Sequence, residues 1–319
     1  MKEIIVSIKN ISRKKAFVFI ESPFQLLCAY EAVNFFDVDY DLYVRLNRYE
    51  LNNHQVKNII EELGMNNVYY IDLPVKKDIF TKLKMLKFLI KNKLQNYDYY
   101  ILGDYLSNLM KQFVKINSND KIILLDDGVA TYKIQRELKE IPLPLTLFSM
   151  FKIENFNNQK IYVNKFENLK KLYPTVDRSH DIFIGAQLVD LDILSLSAYI
   201  DIVKLAINNS KENKVIYFPH RRTSKEVLKE LSAIENLEIA FPDTAIEFYL
   251  LKAGIKPKNI YSILSTALFS LSIIFEEANV IAYKPEFNKN EREEDIEKLY
   301  EMIAHDKNPI NLISLDEDS

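Results

Sequence analysis

The sequence predicts an α/β protein of two Rossmann-like domains, each a mostly parallel sheet covered by helices, with a cleft between them. Three observations lead there. Short apolar runs alternate with segments of helical spacing, so the order strand, helix, strand recurs along the chain. The rhythm is laid down twice, once on each side of a proline- and aromatic-rich stretch, IPLPLTLFSMF. And 319 residues suffice for two cores of roughly 150 residues each.

Taken in order, AFVFI is a compact apolar strand, after which ESPFQLLCAYEAVNFF turns to helical spacing through Leu26, Leu27, Tyr30, Val33 and Phe36. Pro23 falls near the start of that helix, where its missing N–H costs little. DYDLYVRL reads as a strand, NHQVKNIIEELG as a helix stopped by Gly64, and NVYYIDL as a strand. KKDIFTKLKMLKFLIKNKL is a basic helix, YDYYILG a strand, YLSNLMKQFVKI a helix and DKIILLDDG a strand, and KIYVNKFENLKKLYP leads toward the second half. There, DIFIGAQLVD gives a strand and loop, LSLSAYIDIVKLAINNS a helix, and NKVIYFPHRR a strand with a charged turn. SKEVLKELSAIE is helical, LEIAFP extended, TAIEFYLLKAG helical and NIYSIL extended. TALFSLSIIF is a helix, ANVIAYKP a strand, and NEREEDIEKLYEMIAHD a terminal amphipathic helix that can pack across the domain junction. The expected domains are 1–175 and 176–319.

Composition narrows the classes. With 42 basic against 45 acidic residues, an extended nucleic-acid surface is not expected. The single cysteine, Cys28, lies in the apolar run LLCAYEAV and reads as core. His54, His180, His220 and His305 are scattered without metal-ligand spacing, so no protein-built metal site is expected. The N-terminus lacks the pattern of an exported precursor and no apolar stretch is long enough to span a bilayer, so the expected location is cytoplasmic.

Of the five glycines, Gly103, Gly128 and Gly185 follow or terminate apolar strands, where open α/β sheets bind ligands. Neither GxGxxG nor GxxxxGK[ST] occurs, so a nucleotide must be held another way. LLDDG brings Asp126 and Asp127 to a strand exit: as a desolvated base beside Gly128, or as an Asp-Gly turn with capping carboxylates. YFPHRR puts Pro219, His220 and Arg221 at another strand end, able to bond phosphate oxygens or to form a solvated basic turn. Ser265 and Thr266, in STALFS, can cradle a phosphate at a helix start or simply cap it. Glu247 can accept from ribose hydroxyls or sit on a helix surface. Ser22 and Gln25, in SPFQLL, can orient a sugar or cap a helix, and Gly185 and Gln187, in IGAQ, repeat that placement, Gly185 admitting a base or sugar against the backbone. Residues 76–93, rich in lysine and interleaved with Phe80, Leu83, Leu86 and Ile90, can face an anionic membrane or pack on the sheet with lysines in water.

The ordered set SPFQLL, LLDDG, YFPHR and STALFS resembles bacterial sialyltransferases, especially the lipooligosaccharide sialyltransferases of glycosyltransferase family 52 and their capsule-modifying relatives. The resemblance spans about residues 16 to 285 and implies a GT-B fold. It implies inverting transfer of sialic acid from CMP-sialic acid to a galactose-type hydroxyl of a bacterial surface glycan, without a cofactor or essential metal. Carried over, the base falls on Asp127 (or Asp126, with the other orienting the loop), assistance to the departing cytidine monophosphate on His220, and the phosphate-holding hydroxyls on Ser265 and Thr266. The family's histidine is followed by proline, whereas here Pro219 precedes His220. Partners implied are a nucleotide sugar, an anionic or lipid-linked glycan kept near the opening by Lys84, Lys87 and Lys91, a second copy in a homodimer, and the inner membrane surface. Two further readings stand beside it: a transferase using a UDP-hexose or another CMP-linked nonulosonic acid, and a non-catalytic glycan-binding or assembly protein on the same fold.

Overall fold

The computed structural model describes residues 13–72, 79–128, 131, 145–151, 153, 159–174, 178–210, 214–288, 291–305 and 309–315. Its first strand, β1 (Lys15–Ile20), sets the pattern: Ala16, Val18 and Ile20 enter one apolar cluster while Phe17 and Phe19 enter another on the opposite sheet face. A strand covered on both faces needs a continuous apolar run rather than alternation, which is why AFVFI is legible as a central strand.

Around β1 the first sheet has the order β3-β2-β1-β4-β5-β6-β7, with every pairing parallel. Its other strands are β2 (Asp39–Arg45), β3 (Val68–Ile71), β4 (Tyr99–Leu102), β5 (Ile122–Leu125), β6 (Thr146–Ser149) and β7 (Lys160–Val163). Helices α1 (Pro23–Phe35), α2 (Glu50–Glu62), α3 (Ile79–Leu94) and α4 (Asn108–Ile116) cover it, and α5 (Glu167–Leu172) follows it. The second sheet, also parallel, has the order β10-β9-β8-β11-β12-β13. It comprises β8 (Arg178–Ile184), β9 (Val215–Phe218), β10 (Leu237–Ile239), β11 (Ile255–Ser262), β12 (Asn279–Pro285) and β13 (Ile310–Leu315). Its helices are α6 (Leu196–Asn209), α7 (Lys225–Ser232), α8 (Ile246–Lys252), α9 (Ala267–Ile274) and α10 (Glu293–His305). Each sheet reverses its winding once, between β1 and β4 and between β8 and β11, and it is at such reversals that a ligand crevice opens beyond the strand ends.

Three elements differ from the sequence reading. TLFS and KIYV are β6 and β7, so the first sheet continues through the proline-rich stretch instead of ending there. The expected boundary at residue 175 lies outside the described residues. The acidic helix α10 does not cross back: Ile296, Leu299, Tyr300 and Ile303 bury its apolar face, and the Tyr300 hydroxyl donates to Ile263 O and Tyr283 O in its own half at 2.7 and 2.9 Å. Nor is it terminal, since β13 follows and extends the second sheet.

The halves share an apolar seam built from α1, α5, α8 and α9. Phe151 meets Phe269 at 5.3 Å and Tyr173 meets Phe248 at 5.3 Å. Cys28 is buried here as core, its thiol pushed up chiefly by burial. Within the seam the buried Glu31 carboxylate takes three hydrogen bonds, from Leu169 N at 2.7 Å, Asn168 N at 3.1 Å and Asn168 Nδ2 at 2.8 Å. It thereby caps α5, whose preceding residue Phe166 is left-handed and offers no side-chain acceptor. Replacing Glu31 by alanine strands these donors in a dry interface, so Glu31→Ala is expected to cost about 2–3 kcal/mol. A lowered midpoint in urea denaturation measures it, and an unchanged midpoint contradicts the capping role.

Candidate active site at the facing strand ends

β1 ends at Ile20, and the chain passes Glu21 and enters α1 through Ser22, whose Oγ accepts from Gln25 N at 3.2 Å. Ser22 is therefore committed to capping. Gln25, in the first turn, is buried and bridges three strand ends: its Oε1 accepts from Glu21 N at 2.8 Å and its Nε2 donates to Asp127 Oδ1 at 2.9 Å. Gly103, just past β4, makes room for it, since a Cβ there would lie 2.4 Å from Gln25 Oε1. The glutamine expected to orient a sugar instead orients a carboxylate.

The two aspartates of LLDDG have opposite fates. On extended backbone consecutive side chains point to opposite faces. Asp126 turns inward, fully buried, and its carboxylate accepts from Ser149 Oγ at 2.5 Å and from Met150 N at 2.6 Å. It ties the end of β5 to the end of β6 and is sealed from any substrate, which corrects its assignment to the catalytic set. Burial, the largest influence, pushes it up to about 7 against the lowering effect of those bonds. Asp127 turns into the cleft, partly buried, with its N–H donating to Thr131 Oγ1 at 3.1 Å. Burial raises its carboxyl too, the Gln25 bond holds it down, and Glu21 adds repulsion.

Beside Asp127 stand two acids that the sequence reading passed over. Asp104 follows Gly103 and is raised to about 6, first by burial and then by Asp127. Glu21 pairs with Arg45 Nη1 at 2.8 Å and accepts from Ser107 Oγ at 3.2 Å. Both follow an apolar strand ending in the first half, the same signal that singles out LLDDG.

The second half brings its own strand ends to this place. After β11, Ser265 Oγ accepts from Ala267 N at 3.3 Å, while Thr266 makes no side-chain cap bond. Its Oγ1 instead lies 3.3 Å from where a Cβ on Gly128 would sit, and Gly128 has a positive φ of 59°. The acidic turn and the hydroxyl pair therefore face each other directly across the two halves. After β9, half-buried His220 accepts from Arg222 N at Nδ1, 3.2 Å away, which leaves the ring proton on Nε2. Burial, then Arg221 and Arg222, lower its pKa, so the neutral ring is a hydrogen-bond donor at pH 7. Arg221 reaches Asn52 Oδ1 at 3.4 Å, and Asn52 Nδ2 donates to Glu21 O at 3.2 Å, which links the histidine loop to the end of β1. Pro219, between β9 and His220, is partly exposed.

Two expected ligand contacts are already filled. A Cβ on Gly185 would lie 2.4 Å from the Tyr217 hydroxyl, itself 2.8 Å from Tyr199 Oη, so the glycine admits a tyrosine rather than a base or sugar. Glu247 is 4% exposed in the first turn of α8 rather than on a helix surface, and it accepts from Ser270 Oγ at 2.6 Å. Gln187 Nε2 reaches Arg222 O at 3.5 Å, beside the histidine loop. Among the described residues no cluster of histidine, cysteine and carboxylates could hold a metal ion.

The fold is GT-B. No protein-family model and no curated protein matches the sequence. Among solved structures, UDP-GlcNAc 2-epimerase from Methanocaldococcus jannaschii superposes with a TM-score of 0.60 at 17% identity, over 94% of this chain and 89% of that one. MnaA from S. aureus, in a co-structure with UDP, gives 0.58 at 13% identity over 93% and 92%. UDP-GlcNAc 2-epimerase from Neisseria meningitidis, bound to UDP-GlcNAc, gives 0.54 at 12% identity over 80% and 79%. Two of these are named as UDP-GlcNAc 2-epimerases and the third as a UDP co-structure, and at such identities the likeness speaks for the fold alone. None is named for CMP or sialic acid.

Asp126 supplies a pH test. Its carboxyl is held above the ordinary value of about 3.9 in the folded chain, so the fold retains a proton that the unfolded chain releases. That stabilisation is complete below the unfolded value and is lost as pH rises through about 7. Asp126→Asn is expected to flatten the decline in denaturation midpoint between about pH 4 and 7, and an identical slope in both proteins refutes the account. Gln25→Leu removes the bond that holds Asp127 down, so the Asp127 carboxyl is expected to titrate at higher pH, read by carbon-13 NMR of labelled aspartate.

Proposed function

We propose that the protein is an inverting glycosyltransferase that moves sialic acid from CMP-sialic acid to a galactose-type hydroxyl of an anionic or lipid-linked surface glycan, without an essential metal. The observation that carries this reading is the direct apposition of Asp127-Gly128 and Thr266. It gathers two of the four motifs that resemble family 52 at one point of the cleft, with a carboxylate on one wall and hydroxyls on the other. Glycosyl transfer needs a base for the attacking hydroxyl and donors for the departing phosphate, on opposite sides of the reacting carbon.

In this reading the acceptor oxygen attacks C2 of sialic acid, its proton passes to Asp127, and the bond from C2 to the phosphate oxygen breaks as CMP leaves. Gln25 aims the Asp127 carboxylate and offsets part of the rise that burial imposes on it. Neutral His220 donates Nε2–H, and Ser265 and Thr266 donate their hydroxyls, to the phosphate whose charge grows. Arg221 stands beside His220 and adds positive potential on the same wall. Closure of the halves around the pair excludes water from the activated donor.

A second reading, transfer from a UDP-sugar, is supported by the neighbours whose names carry UDP and UDP-GlcNAc. Calorimetric titration with CMP and with UDP, first with chelator and then with magnesium, separates the two. CMP-selective, magnesium-independent binding is expected. UDP preference transfers the assignment to the second reading, and no nucleotide binding leaves a glycan-binding or assembly protein. Asp127→Asn is expected to lower kcat by about 10²–10⁴ while leaving CMP affinity within about threefold, and undiminished turnover removes Asp127 as the base.

A further inference from the structure

Helix α3 carries two apolar faces, and among the described residues only one is packed against the rest of the protein. Met85, Phe88 and Leu89 pack onto the aromatic cluster of Phe17, Tyr43 and Phe113, and the Phe88 ring meets Tyr43 at 5.5 Å and Phe113 at 5.8 Å. That contact fully explains why the segment is helical and where it docks. Leu83, Leu86, Ile90 and Leu94 form a second stripe at spacings of three and four residues, and they are 58, 52, 50 and 79% exposed. With Lys87 and Lys91 they line one shallow, almost wholly apolar depression on the surface. The segment therefore packs on the sheet with one face and leaves a second apolar stripe exposed.

The charges select the occupant. Residues 79–94 contain Lys82, Lys84, Lys87, Lys91 and Lys93 and no acid. A second copy docking by the same stripe would set Lys87 and Lys91 against their own counterparts about a dyad, so self-pairing is opposed by like charge. An anionic surface meets both demands, taking leucine and isoleucine into its apolar layer while the lysines reach its phosphates. Tyr69 adds an amphipathic ring: it is 47% exposed on edge strand β3 and stacks at 4.9 Å on Tyr43, on the sheet face that α3 covers. No helix among the described residues is long and apolar enough to cross a membrane, so attachment by this face would be peripheral.

We infer that the exposed face of α3 is a docking surface for an anionic phospholipid bilayer, with Leu83, Leu86, Ile90 and Leu94 entering the interface and Lys87 and Lys91 contacting headgroup phosphates. The inference does not depend on the donor or on turnover.

The test is flotation of the full chain with vesicles of phosphatidylcholine alone and with 30 mol% phosphatidylglycerol, at about 50 mM and 500 mM salt. Binding is expected to the anionic vesicles only and to fall at least fivefold at the higher salt. The pair Leu86→Ser with Ile90→Ser, and separately Lys87→Glu with Lys91→Glu, are each expected to reduce binding at least fivefold. CMP and UDP titrations of the same samples report the cleft independently, and circular dichroism reports the fold. The charge-reversal pair lies on the exposed face and keeps the test sound if the serine pair loses helix. Absence of binding to anionic vesicles, or binding unaltered by both pairs, overturns the inference. So does a concentration-dependent dimer in sedimentation velocity that the serine pair abolishes, which would assign the face to a second copy.

Discussion

The cleft depends on the placement of one carboxamide. Gln25 is buried where β1, β4 and β5 end, and it spends its oxygen on the Glu21 amide and its nitrogen on the Asp127 carboxylate. Both bonds rely on a missing side chain: a Cβ on Gly103 would collide with the amide where it now sits. A hydrogen bond to an ionised acceptor is stronger than one between neutral groups, so this bond both aims Asp127 and offsets part of the cost of burying it. Replacing the donor with an apolar residue would leave the carboxylate free to turn and more readily protonated.

From that point outward the two walls of the cleft take opposite sign. Glu21, Asp104 and Asp127 crowd the first wall, with Arg45 paired to Glu21. His220, Arg221 and Arg222 line the second, where burial first and then the arginines' repulsion lower the histidine's pKa. A ligand carrying a phosphate at one end and hydroxyls at the other is oriented by this polarity before any specific contact forms. Because like carboxylates resist ionising together, Asp127 adds to burial in raising Asp104, and Glu21 adds to burial in raising Asp127.

The parallel sheets were legible because buried strands must be apolar on both sides, and runs such as AFVFI and VIYF have no other economical place. Gly103 and Gly128 were legible because they end such runs. The division of labour within LLDDG was not, since two identical residues differ only in which face of the backbone each takes, and that is set by Ser149 and Met150 more than twenty residues on. Gly185 misled for the same reason: the Tyr217 ring that needs its space comes from the next strand. Glu21 and Asp104 carried a signal, an acid after an apolar strand, too common to stand out without the fold. Glu247 was recognised as polar, but its helical phase, which turns it toward Ser270, depends on how α8 lies on α9.

The two halves meet in chemically different ways on their two sides. Where Phe151 meets Phe269 and Tyr173 meets Phe248 the join is aromatic, whereas the contacts of α2 with the second half among the described residues include polar ones: Gln55 Nε2 to Thr244 O at 3.0 Å, Asn58 Nδ2 to Asp243 O at 3.3 Å, and a Lys252–Glu62 ion pair. Water replaces such bonds at little cost, while it cannot replace buried aromatic contact. The α2 side is thus the side of the join that can part at little cost, so any change in the angle between the halves is expected to open there while the aromatic side stays closed.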